Sequence, residues 1–184
     1  MWISVKKIPN ILTSARIILV PIICVLMYID TEWSRILSII FAGIASITDH
    51  FDGKIARKYN ACSAFGRCMD PIADKTLVMA LIVMLVYLEK AWVFPCIMIL
   101  FREFVVAGIR EFLAKEKRMI IKVSKLAKIK TATQMISLLF LMVFGTNDIL
   151  FIIGNNLLTV AAVLSVVTSI QYIKSIKDII FNDN

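Results

Sequence analysis

Residues 47–75 of this 184-residue chain read ITDHFDGKIARKYNACSAFGRCMDPIADK and carry four aspartates in two regularly spaced pairs. Asp49 and Asp52 are three residues apart, and Asp70 and Asp74 are four apart. On an α-helix, either spacing places both side chains on one face. An apolar run precedes the first pair and another follows the second. We therefore predict two antiparallel helices whose aspartates meet at the same end.

Four carboxylates gathered at one helix end repel one another unless positive charge lies between them. A like-charge pair about 4 Å apart costs roughly 4 kcal/mol at an effective dielectric constant of about 20. Divalent cations relieve this repulsion, and ligation by oxygen alone favours Mg²⁺, Mn²⁺ or Ca²⁺ over softer metals. The alternative interpretation is helix capping, which suits Asp70 with Pro71 at the first helical position but offers no role for the other aspartates.

Composition indicates a lipid environment, since 60% of the residues are hydrophobic and the mean hydropathy is +0.86. A soluble domain is closer to half apolar. The apolar runs approach the length that crosses a bilayer and lack the alternation of barrel strands. We therefore predict an all-α integral membrane fold in which residues 1–184 form a single domain. The six predicted transmembrane helices cover residues 8–29, 33–48, 71–88, 92–113, 131–144 and 150–173.

The net charge of +8 fits membrane orientation better than a nucleic-acid partner, because the basic residues cluster in alternate loops. The positive-inside rule then puts both termini and the aspartates on the cytosolic side. Residues 114–130 alternate basic and apolar side chains. This stretch is consistent with a segment lying in the headgroup layer, or with one that only sets the orientation.

Small and basic residues accompany the aspartates. Gly53 and Gly66 lack side chains, so a nucleotide or diphosphate can approach their backbone closely, although each glycine can instead mark a turn or helix packing. Arg57 is suited to a phosphate, or to orienting the chain as a cytosolic charge. Near the start of the chain, Asn10, Thr13 and Arg16 form a polar stripe, which we interpret as lining the entrance of the site. The alternative is that Asn10 caps the helix and Arg16 extends its head group to water.

A second group of charges follows in the chain. Arg102 and Arg110, each followed by a glutamate, lie in the fourth predicted span, and Lys128 and Lys130 precede the fifth. Converging arginine and lysine side chains suit an acceptor alcohol that carries its own phosphate. The alternatives are internal ion pairs for the arginines, and orientation or headgroup contacts for the lysines.

The aspartate pattern, taken with its small residues, resembles the signature of the CDP-alcohol phosphotransferase family. This resemblance implies a dimeric, six-helix membrane fold with a polar cavity on the cytosolic side that contains two metal ions, Mg²⁺ or Mn²⁺. It implies that Asp74 is the general base and a further metal contact. The resemblance assigns Asp49, Asp52 and Asp70 to binding both the metal ions and the CDP-lipid. It assigns four further residues to the CDP moiety: Gly53, Ala56, Arg57 and Gly66.

Residues 9–16, 102–103 and 123–134 resemble those members of the family that use glycerol-3-phosphate, although Ala127 stands where they commonly have glycine. The resemblance implies transfer of a phosphatidyl group from CDP-diacylglycerol to glycerol-3-phosphate, with release of CMP, at the inner membrane of a bacterium. Serine, an inositol phosphate and phosphatidylglycerol are alternative acceptors. A divalent-cation transporter is an alternative of another class, but its acidic residues are expected near mid-membrane on opposed or broken helices.

Overall fold

The computed structural model describes residues 8–58, 64–116, 125–143 and 149–181, and every regular element within them is an α-helix. The predicted all-α class is therefore confirmed for the described part of the chain. The helices are α1 (Ile8–Ile29), α2 (Glu32–Lys58), α3 (Ala64–Tyr87), α4 (Val93–Glu116), α5 (Lys125–Val143) and α6 (Ile149–Phe181).

The helices follow the six predicted spans in order, but several of them extend beyond the apolar residues. α2 continues to Lys58, ten residues past the predicted end, and α6 continues to Phe181. Hydropathy marks where the apolar sequence stops, whereas lysine, arginine and alanine prolong a helix readily. Of the stretch 114–130, the two ends belong to α4 and α5, and residues 117–124 lie outside the described chain. Its headgroup interpretation stays a prediction.

The predicted position of Pro71 at a helix start is wrong. α3 begins at Ala64, so Pro71 lies inside the helix, about two turns from its first residue. The reason is that residues 64–69 are compatible with helix and extend it ahead of the proline, at the cost of one backbone hydrogen bond. Asp70 also lies inside α3, which excludes the helix-cap interpretation for this residue.

Among the described residues, two helices are long and apolar enough to cross a membrane. They are Leu12–Ile29 within α1 and Ile149–Ile170 within α6, each with a mean hydropathy of 2.2. α4 contains Arg102, Glu103 and Arg110, so composition alone does not mark it as a span. The described ranges thus contain six helices with two candidate spans, and the six-span topology stays a prediction.

Large apolar side chains cover the outer faces of several helices. On α2 they recur at helical spacing, and Trp33 is 77% exposed; on α4, Phe94 is 78% exposed. Continuous apolar surface of this kind is unfavourable in water and requires lipid or another protein against it. The apolar stripe of α2 comprises Trp33, Ile36, Ile40, Ile44 and Ile47.

The helices form two compact units: α1–α3 with the turn to Lys90 and the end of α5, and α4 with α6 and the rest of α5. In the first unit, α1 packs against both α2 and α3. Ile23 and Met27 of α1, Leu81 of α3, and Ala42 and Ala45 of α2 are all buried. The two alanines have small side chains, so they allow close helix packing within this unit.

Polar contacts fix the end of the first unit where α1 and α3 terminate. The rings of Tyr28 and Tyr87 stack with centroids 5.9 Å apart. Asp30 follows α1 with a left-handed backbone (φ 47°), and its Oδ1 accepts a hydrogen bond of 3.2 Å from the buried Nζ of Lys90. Arg35 Nε lies 3.5 Å from the same oxygen. α1 and α3 therefore end side by side, and α2 begins beside them.

The second unit is built on the packing of α4 against α6. Ile99 and Val106 of α4, and Leu158 of α6, are buried in it. The buried Asn155 of α6 accepts a 2.7 Å hydrogen bond at Oδ1 from the backbone N–H of Trp92. That N–H precedes the first turn of α4, where helices lack internal acceptors, so Asn155 satisfies it from another helix.

We expect Gly154→Ala to destabilise the protein relative to Gly108→Ala. A Cβ at position 154 would lie 2.6 Å from Leu141 Cδ2 and 3.1 Å from Phe140 Cδ1, whereas one at position 108 meets nothing within 4 Å. Alanine at position 108 gains helix propensity of about 1 kcal/mol without a clash. The measurement is thermal unfolding of both variants in detergent. Equal melting temperatures would contradict the close contact of Gly154 with Leu141 and Phe140.

Candidate functional site

The helices carry the two aspartate pairs as predicted. Positions 49 and 52 lie on α2, and positions 70 and 74 lie on α3, each pair on continuous helix. Positions 49 and 52 continue the register of the buried residues Ala42 and Ala45, and positions 70 and 74 continue that of Leu77 and Leu81. A helix repeats its face every three to four residues, so both pairs of positions extend the packed faces of their helices.

Helix lengths place these positions at one level of the first unit. The stacked Tyr28 and Tyr87, with the neighbouring Arg35, mark the opposite end. Position 16 lies about 12 helical residues from Tyr28, position 49 about 14 from Arg35, and position 74 about 13 from Tyr87. At about 1.5 Å per residue, these distances along the helices are about 18, 21 and 20 Å. The starts of α1 and α3 and the far end of α2 thus bring these three backbone positions to one depth.

The side chains of most predicted site residues lie outside the described part of the structure. Their helical positions are given, but no contact of these side chains is described. The assignment of metal, CDP-lipid and general-base roles to them therefore stays a prediction. The residues concerned are Asp49, Asp52, Gly53, Ala56, Arg57, Gly66, Asp70, Asp74 and Arg110.

Arg16 is a site candidate that sequence reasoning undervalued. It is only 2% exposed in the first unit, and Thr13, one turn before it, is also buried. The alternative interpretation, in which Arg16 extends its head group to water, is therefore wrong. A buried guanidinium is stable only where hydrogen bonds or negative charges compensate it. The sequence feature that could have indicated this burial is the three-residue spacing of Thr13 and Arg16, two polar residues on an otherwise apolar helix.

In the second unit, Arg102 fastens α4 to α6. Its Nε donates to Ser169 Oγ at 2.7 Å and to the carbonyl of Ser165 at 3.2 Å, and its Nη2 donates to Thr168 Oγ1 at 3.2 Å. Its Nη1 pairs with Glu103 Oε1 at 3.0 Å. These contacts are those of an internal clamp between helices. Binding of an acceptor phosphate by Arg102 stays a prediction.

Glu103 links this clamp to α5. Its Oε1 also pairs with Nζ of Lys130, whose side chain is almost completely buried. One carboxylate therefore serves two cations, and Arg102, Glu103 and Lys130 together keep one net positive charge.

The structure brings only some of the predicted acceptor-binding residues together. Arg102 and Lys130 share Glu103. Lys128 is exposed, on a different side of α5 from the buried Lys130. The sequence did not predict the hydrogen bonds of Thr168 and Ser169 with Arg102, because small hydroxyl residues in an apolar helix form no distinctive pattern.

Comparison with known proteins agrees with the sequence pattern. The family model for CDP-alcohol phosphatidyltransferase matches residues 6–171. A CDP-diacylglycerol–glycerol-3-phosphate 3-phosphatidyltransferase of Rickettsia typhi is 46% identical over 175 residues, which cover 94% of this chain and 98% of that protein.

Two further relatives carry the same name. The protein of Rickettsia prowazekii is 46% identical over 94% of this chain and 96% of its own length. That of Salmonella typhimurium is 36% identical over 92% of this chain and 94% of its own length. The chain therefore belongs to the CDP-alcohol phosphatidyltransferase family and is an enzyme of this type.

Proposed function

We propose that the enzyme transfers the phosphatidyl group of CDP-diacylglycerol to glycerol-3-phosphate and releases CMP. The observation that carries this proposal is the 46% identity, over nearly the whole of both chains, to relatives named for that reaction. The family match extends across both compact units, which supports one functional domain over residues 1–184.

The donor side of the site lies at the aspartate level of the first unit. Four carboxylates from two neighbouring helices form a hard-oxygen donor set, which fits Mg²⁺ or Mn²⁺. We propose that Asp49, Asp52, Asp70 and Asp74 hold two such ions. Ions held by these aspartates would neutralise the diphosphate and make CMP a better leaving group.

The chain's own residues then orient the donor and move the proton. Gly53, Ala56 and Gly66 leave room for the CDP moiety, and Arg57 pairs with its phosphate. Asp74 accepts the proton of the acceptor hydroxyl as the hydroxyl oxygen attacks the phosphorus that carries the lipid. The phosphorus–oxygen bond to CMP breaks as the new ester bond forms. Alignment of the two substrates supplies much of the remaining acceleration.

The acceptor side is proposed to use Lys130 and Arg110 for the phosphate, with Lys128 and Arg102 as further candidates. Lys130 is buried and held by Glu103, so its charge sits at a fixed place and not on a mobile surface chain. A positioned ammonium loses less freedom when it binds a phosphate. The net positive charge of the Arg102–Glu103–Lys130 cluster supports an acceptor that is itself an anion.

The membrane setting is part of the proposal. The apolar outer faces and the hydropathy of α1 and α6 support a multi-pass protein of a bacterial inner membrane. The distribution of basic residues supports cytoplasmic termini and a cytoplasmic active site. We also propose a homodimer, as the family resemblance implies, surrounded by membrane lipids and without a nucleic-acid partner.

CMP release tests the reaction directly. Purified protein with CDP-diacylglycerol and Mg²⁺ is expected to release CMP with glycerol-3-phosphate, and removal of the metal with EDTA is expected to stop it. Serine, an inositol phosphate and phosphatidylglycerol are the comparison acceptors. Release with one of these but not with glycerol-3-phosphate would overturn the proposed acceptor. Release with none of the four would refute the transferase.

Asp74→Asn is expected to lower turnover about 10²–10⁴-fold, because the amide cannot take the proton. The variant should still bind CDP-diacylglycerol in the presence of Mg²⁺, as measured by titration in detergent. Asp49→Asn is the matched variant and is expected to weaken donor binding as well. Normal turnover in Asp74→Asn would rule out the general-base assignment.

Glu103→Gln is expected to destabilise the protein by about 3–5 kcal/mol, since it leaves the buried Lys130 without its counter-charge. The matched control is Glu111→Gln, an exposed glutamate on the same helix, for which we expect at most about 1 kcal/mol. Denaturant unfolding measures both. The double variant Glu103→Gln/Lys130→Met should recover part of the loss, and failure to do so would argue against the pair.

A further inference from the structure

One buried polar atom of the second unit is not used by the fold. Gln134 lies on the buried face of α5, one turn after Lys130, and is only 3% exposed. Within the described part of the chain, its side-chain Oε1 has no hydrogen-bond partner. The Gln134 carbonyl, in contrast, accepts a 2.8 Å hydrogen bond from Ser137 Oγ. The backbone carbonyl of Gln134 therefore has a partner, whereas its side-chain oxygen has none among the described residues.

Asn155 shows what a structural amide looks like in the same unit. It is completely buried, its Oδ1 accepts from the N–H of Trp92, and its Nδ2 donates to the carbonyl of Phe151 at 3.1 Å. Leaving a buried acceptor unpaired costs about 1–3 kcal/mol. A glutamine retained at this cost, where leucine or methionine would pack well, points to a partner that arrives with a ligand.

The surroundings of Gln134 identify the kind of ligand. Lys130 precedes it by one turn, about 6 Å along the same helix face. Lys130 pairs with Glu103, and Glu103 pairs with Arg102. On α6, the carbonyl of Ser165 accepts from Arg102, while the buried Ser165 Oγ also lacks a partner among the described residues. The cluster thus offers net positive charge for an anion and, beside it, hydrogen-bonding groups for a hydroxyl.

We propose that Gln134 Oε1 accepts a hydrogen bond from the non-reacting hydroxyl of a polyol phosphate acceptor, whose phosphate lies beside Lys130. For glycerol-3-phosphate this is the hydroxyl on the central carbon. The assignment rests on the proposed function and adds to it a residue that selects a polyol over a simple alcohol phosphate.

The test compares two acceptors of equal charge. Glycerol-3-phosphate carries the central hydroxyl, and 3-hydroxypropyl phosphate lacks it while keeping the reacting hydroxyl and the phosphate. The unmodified enzyme is expected to favour glycerol-3-phosphate about tenfold or more in kcat/KM, because the analogue leaves a buried acceptor unpaired. In Gln134→Met this preference should fall to near one. The KM for CDP-diacylglycerol should stay unchanged.

Two control variants separate recognition from folding. Ser137→Ala removes a buried hydroxyl from the same helix and should keep the preference for glycerol-3-phosphate. Asn155→Leu should lower the melting temperature, whereas Gln134→Met should not, because only Asn155 has its oxygen in a structural hydrogen bond. If Gln134→Met proves too unstable to assay, Gln134→Asn serves in its place, since its shorter side chain should also reduce the preference.

The outcomes distinguish this inference from the proposed function. An unchanged preference in Gln134→Met, with normal activity, would overturn the role of Gln134 and leave the transferase reaction standing. An equal loss of activity with both acceptors would also overturn it, since the residue would then be structural. Absence of turnover with glycerol-3-phosphate in the unmodified enzyme would refute the proposed function itself.

Discussion

Charge enclosed within an apolar helical body must be compensated close by, and this constraint organises both units. Arg16, Lys90, Arg102 and Lys130 are each buried or nearly so, although the helices that carry them are largely apolar. An isolated charge there would cost several kcal/mol after relaxation. Lys90 meets Asp30, and Lys130 and Arg102 share Glu103. The Lys90–Asp30 and Lys130–Glu103 pairs each join different segments of the chain, so compensation of charge also decides which segments meet.

In the proposed reaction, the first unit binds the donor and the second unit binds the acceptor. In the first unit, α1 and α3 run in the same direction and α2 runs in the opposite direction. This arrangement brings positions 16, 49 and 74 to the same level along the helix axes. The second unit presents a cationic cluster with unsatisfied oxygens next to it. A metal-dependent donor site and an anion-selective acceptor site have opposite electrostatic requirements. Our proposal meets these two requirements by assigning the two sites to separate groups of helices.

The sequence predicted features that appear as a regular spacing of residue types, and it did not predict features that depend on tertiary packing. The order of the six helices and the family followed from apolar runs and from the aspartates. The helix ends did not, because polar residues prolong α2 and α3 beyond the apolar sequence, and Pro71 therefore lies inside α3. The clamp of Arg102 on Ser169 was not predictable either, since those residues are 67 positions apart. The polar spacing of Thr13 and Arg16 marks Arg16 as unusual, but its burial depends on the packing of α1 against α2 and α3.

The lengths of α2 and α3 have a consequence for how this chain can change over time. α2 continues to Lys58 and α3 begins at Ala64, so the residues flanking the aspartates are spaced along helices and not along loops. One inserted or deleted residue within 49–57 or 66–74 would rotate everything beyond it by about 100°. Such length changes would carry the carboxylates around the helix axis, whereas a substitution leaves them in register. A length change within either helix is therefore more disruptive to the aspartate pairs than a substitution beside them.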